Sequence, residues 1–165
     1  MSRALARHAQ SATSHVAWLA VLSITAVLAA CDSDSGVVGS YAGTSLGTMR
    51  ASEPPSARPI EERAEATADV VRDGRGIVVS FTQNGRPVPC RFTATGGPTT
   101  WSFPAHQVCR QGRPDDGITI TVADGTARFD DDALTIVVRS SVVFTGPEAP
   151  MRAGTHEMRF TGRRE

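Results

Sequence analysis

The chain has 165 residues, enough for one domain with a modest core. Acidic and basic residues balance at 17 each. From residue 31 onward fifteen arginines face seventeen acids, which gives no electrostatic footprint for nucleic acid. Every basic side chain is Arg, and the absence of Lys removes Schiff-base chemistry and a Lys general base.

The first thirty residues read as an export signal (residues 1–30). Met1 to His15 is polar and carries Arg3 and Arg7 with no acid; Val16 to Ala30 is apolar and ends in small residues. As a helix the apolar run would span about 22 Å at 1.5 Å per residue, short of a hydrocarbon core of roughly 30 Å. It closes on Leu28-Ala29-Ala30-Cys31, which resembles the lipobox of bacterial lipoproteins. The resemblance implies cleavage before Cys31, acyl chains on that residue, and a cell-envelope protein lipid-anchored to a membrane. Two or more acyl chains give a stable anchor where one binds reversibly.

Residues 31–58 are rich in Ser, Gly, Ala and Pro and read as a flexible tether, with a first strand weighed near 37–45 around Val37, Val38 and Tyr41. The antiparallel domain is expected over 59–165. Residues 60–71 are ambiguous. Ala and Glu favour helix, yet Ala64, Ala66, Ala68 and Val70 alternate with polar neighbours, and the Asp73-Gly74 turn favours a hairpin. Period-2 patterning is then clear. Ile77, Val79 and Phe81 share a face; Asn84-Gly85 is a hairpin turn; Val88, Cys90, Phe92 and Ala94 alternate after it. Gly96-Gly97-Pro98 breaks the chain. Ile118, Ile120 and Val122 follow, then an expected turn at Asp124-Gly125, and a polar corner at Asp130 to Asp132. Leu134, Ile136, Val138, Ser140, Val142 and Phe144 form one face of a long strand, and His156, Met158 and Phe160 one face of the last.

These elements predict an all-β fold, a small antiparallel meander of six to eight strands closed or partly closed into a barrel, in preference to a two-layer β-sandwich. Cys90 and Cys109 are expected to pair as a disulfide in an oxidising compartment. A zinc site with His106 is the weaker alternative, because the ligand spacing is missing. Pro89-Cys90-Arg91-Phe92-Thr93-Ala94, Pro104-Ala105-His106-Gln107-Val108-Cys109 and the final Phe160-Thr161-Gly162 are similar to a loose group of Thr/Gly-rich bacterial β-strand lipoproteins. Tyr41-Ala42-Gly43-Thr44 would open that pattern, with Ser45 where an aromatic would follow. The resemblance implies a barrel-like domain and lends no catalytic residue.

No catalytic residue, metal or cofactor is expected. His106 and His156 read as structural, and the acidic clusters as solvated turns. Phe92, Trp101, Phe103 and Phe144 are the aromatics that would line a ligand cavity if the barrel holds one, although filling the core is the plainer role. The expected function is a non-catalytic structural or protein-interaction module of the envelope, its partner an unknown envelope protein. A lipocalin-like binder of a small apolar ligand is the alternative, and an enzyme stands last.

Overall fold

The computed structural model describes residues 36–53, 55, 58–147, 149 and 151–165. The export signal, Cys31 and the start of the tether lie outside the described residues. Nine strands follow in chain order: β1 (Gly39–Glu53), β2 (Ile60–Asp73), β3 (Gly76–Gln83), β4 (Arg86–Gly96), β5 (Thr100–Phe103), β6 (Val108–Gly112), β7 (Gly117–Asp130), β8 (Ala133–Thr145) and β9 (Ala153–Arg164). Of the residues weighed as a first strand near 37–45, those from Gly39 onward belong to a strand that continues to Glu53, and Val37 and Val38 precede it. Composition hides its second half. Leu46 to Met49 are held as strand by β2 on one side and β9 on the other, both antiparallel.

Each strand pairs with its neighbours through the order β5-β4-β3-β2-β1-β9-β8-β7, and β5 pairs back onto β7. The result is a closed eight-stranded antiparallel barrel with β6 as an extra strand on β7. β5 and β6 share one edge of the long β7: β5 pairs with its second half, from Thr100 against Arg128 to Phe103 against Gly125. β6 pairs with its first half, from Val108 against Thr121 to Gly112 against Gly117.

Local chemistry sets the corners. Asn84 and Gly85 both have positive φ (48° and 74°), as a type I′ hairpin needs. Asp124-Gly125 does not turn. It lies inside β7, where the pairing with β8 shifts register between Val122 and Asp124. A bulge absorbs the extra residue, and Gly125 permits a close approach: a Cβ there would stand 2.8 Å from the Val137 carbonyl oxygen and 3.1 Å from the Phe103 ring.

The register gives the barrel two unlike ends. At one, Tyr41, Val70, Ile77, Ala94, Trp101, Ala127, Phe129 and Leu134 are buried to 5% exposure or less. Tyr41 and Phe129 meet edge to face with centroids 5.8 Å apart, as do Phe81 and Phe160 deeper in. The alanines of β2 leave room for these rings, the small-against-large complementation that fills small barrels. Chain entry and exit seal this plugged end. Arg164 Nη2 donates to Tyr41 Oη (2.8 Å) and to the Gly36 carbonyl, and Tyr41 Oη donates to the Val37 carbonyl at 3.1 Å. No described helix is long and apolar enough to cross a membrane.

Candidate functional site: the barrel mouth and its seam

Among the described residues the opposite end is open. A cavity of about 150 Å3 sits there, lined by residues of seven strands, from β1, β2, β3, β4, β7, β8 and β9, together with Gln111 of β6. Its floor is apolar: Phe81, Val88, Phe92, Ile120, Val138 and Met158. One inward step (two residues) nearer the opening, five strands carry a polar side chain instead. Glu62 follows the layer of Ala64, Gln83 that of Phe81, Gln111 that of Cys109, Ser140 that of Val138, and His156 that of Met158.

Two of these amides are oriented by what they touch. The Ser45 hydroxyl, 2% exposed, is turned to the Ala64 carbonyl at 3.5 Å, so it accepts from Gln83 Nε2 at 3.0 Å. A disulfide sulfur has no proton, so Gln111 must present Nε2 to Cys90 Sγ at 3.1 Å. Among the described residues neither amide oxygen has a hydrogen-bond partner. His156 sits against the backbone of β1 because Gly47 has no side chain; a Cβ there would lie 3.1 Å from Nε2. Burial pushes the His156 pKa below the usual imidazole range, and the Glu62 carboxylate opposes that shift.

Ser140 and His156 are register partners, a juxtaposition that invites a nucleophile–base reading. The geometry points elsewhere: Ser140 Oγ donates to the main-chain carbonyl of His156 at 3.4 Å, not to its ring.

The seam between β4 and β6 lies beside the mouth. Among the described residues no ladder joins these strands. Cys90 and Cys109 bridge them as a disulfide with Cα atoms 5.5 Å apart, a separation typical of paired strands. Gln107 completes the join. Its Oε1 accepts from Thr93 N at 2.7 Å, and its Nε2 donates to Thr93 O at 2.8 Å. A side-chain amide thus makes the two bonds that a neighbouring strand would make to Thr93. The Gln107 main chain is itself paired to β7, accepting from Val122 N at 2.9 Å.

Of the aromatics considered for a ligand cavity, Phe92 lines the floor, whereas Trp101 and Phe103 are buried in the core away from the opening. Phe103 packs edge to face on Phe92 with centroids 6.4 Å apart. Phe144 is set apart, half-buried in a shallow hollow with Ile118 and Gly117. His106 is exposed at a positive φ of 69° in the strap between β5 and β6. The polar ring was missed as a group. Its signal is present in the sequence as an inward-facing position turning polar at the same end of strand after strand.

No protein-family model matches the chain, and no curated protein matches it. Among solved structures, the sensor domain of Mycobacterium tuberculosis PknI in its monomer form aligns over 74% of this chain and 86% of its own, with 14% identity and a TM-score of 0.36. That likeness is too slight to carry a fold or a function across.

Proposed function

We propose that the protein is a lipid-anchored, non-catalytic module of the cell envelope, attached through Cys31 and working through the mouth of its barrel. The anchor rests on the charged start, the apolar run and Leu28-Ala29-Ala30-Cys31. The observation that supports a non-catalytic role is the use of the mouth's polar groups. The Ser45 and Ser140 hydroxyls are turned to main-chain carbonyls, and among the described residues no hydroxyl is held against the His156 imidazole. The chain enters at the plugged end, so the mouth lies at the end away from the point of entry.

Binding of a small ligand is the second reading, and the cavity favours it over a purely structural role. A space of about 150 Å3 is far below a site that would swallow a lipid, since drug-sized pockets run from roughly 300 Å3 upward.

The anchor is tested in a bacterial host fed a labelled fatty acid. The full chain should take up label and sediment with membranes, and Cys31→Ser should do neither while still forming the Cys90–Cys109 disulfide. A Cys31→Ser protein that stays on the membrane would remove the anchor from the proposal.

A further inference from the structure

The charge inside the cavity is one-sided. Among the described residues no arginine lines it; Arg50 and Arg139 line the adjoining hollow beyond Ser140 and His156, where Arg139 is paired with Asp124 and Glu157. Its charged lining residue is a carboxylate, Glu62, flanked in the polar ring by the open amide oxygens of Gln83 and Gln111. Burial of the half-buried His156 disfavours its cationic form, with Glu62 opposing. A carboxylate or phosphate ligand would meet acceptors facing acceptors. A donor would meet three.

Size narrows the ligand further. A cavity of about 150 Å3 with an aliphatic and aromatic floor has the volume of one that accepts benzene. Phe81, Phe92 and Met158 offer ring edges, faces and a thioether to such a body.

We infer that the mouth binds a small primary amine: an apolar body of about one six-membered ring bearing an ammonium group. The body rests on Phe81, Phe92 and Met158, and the ammonium sits at the ring of Glu62, Gln83 and Gln111. This inference rests on reading the mouth as the binding end of the module, and it names the ligand class of that site.

The test uses the full chain in lipid nanodiscs, isotope-labelled so that the side-chain amide resonances of Gln83 and Gln111 can be followed. Benzylamine, toluene and benzoate are titrated at neutral pH, with empty nanodiscs as the blank. Benzylamine should shift both amides and saturate. Glu62→Gln, an exposed and conservative change, should weaken it about fivefold, as expected for losing one partly solvated charge contact. Val88→Phe, which fills the floor, should abolish the shifts. Benzoate or toluene binding as tightly as benzylamine would overturn the inference, as would the absence of any saturable shift or an unchanged affinity in Glu62→Gln. Membrane retention is scored on the same protein, so loss of ligand binding with the anchor intact condemns the ligand and leaves the anchor standing.

Discussion

Two side chains illustrate how single residues set the properties of the open end. His156 is half-buried, and burial holds its pKa below the unfolded value of about 6.5, with Glu62 opposing. Between the two pKa values the unfolded chain binds the proton and the folded chain does not, so stability must fall there as pH drops. The contribution is complete above about pH 7. It is lost as pH falls through 6.5 towards the folded pKa, and it is constant below that. Melting temperatures taken from pH 8 to pH 5 should show this decline, and His156→Gln should flatten it; an unchanged slope in the variant would assign the pH dependence to other groups. Gln107 acts through geometry instead. Replacing it by Ala removes both amide bonds to Thr93 and the donation to the Pro104 carbonyl. Because the site is exposed, water recovers part of the loss, and the expected cost is about 1–2 kcal/mol in urea unfolding. Amide exchange at Thr93 should quicken with it. Neither role is legible from sequence: a Gln between Pro104 and Cys109 looks like loop filler until the fold sets it beside an unpaired strand edge.

At the scale of elements, no ladder joins β4 to β6 among the described residues, and the disulfide spans that seam together with the Gln107 bonds to Thr93. The bridge joins residues 19 apart. In the chain-entropy account a loop of that length contributes about 3 kcal/mol. Replacing Cys90 and Cys109 together by Ser should lower the urea-unfolding free energy by about that amount and speed exchange along β6 more than along β8. A uniform loss across all strands would mean that the seam is not the weak point. The strands themselves were largely readable, because burial on one face imposes a period of two. Ile77, Val79 and Phe81, or Leu134, Ile136 and Val138, point inward as their spacing requires. β2 was ambiguous because Ala and Glu favour helix locally while the alternation of Ala64, Ala66 and Ala68 favours a strand, and pairing on both sides decides the contest. The Asp124-Gly125 pair misleads for a related reason. A Gly after Asp suits a turn, but it equally suits a bulge where another chain passes close, and only the position of Phe103 tells them apart. Phe144 keeps the parity of β8 but lies beyond Val142, where parity no longer means enclosure.

For the molecule as a whole, enclosure differs between the two ends of the barrel. Tyr41, Leu134, Ile136 and Phe160 are fully buried towards the plugged end, while at the mouth Glu62, Gln83 and His156 retain contact with water beside the buried Ser45 and Ser140. Hydrogen exchange should follow that difference, with amides of β1, β8 and β9 near the plug exchanging only by global unfolding and those of β6 and the mouth exchanging by local opening. Equal protection at both ends would contradict the picture of a solid half supporting an adaptable one. The exposed pairs of Arg139 with Asp124 and Glu157, at 3.3 and 3.1 Å, add little to either half. Closure of the barrel also carries a consequence in time. β1 is zipped to β9, with Tyr41 opposite Arg164, so the first stave of the wall is completed by the last. During synthesis every shorter chain carries a raw edge on β1 and another on whichever strand came last, the arrangement most open to pairing with a stranger. Such distant partners make for slow closure. A lesion that trims the final dozen residues would therefore remove a structural wall rather than a tail, leaving an unclosed sheet prone to self-association even though nearly every core side chain is still present.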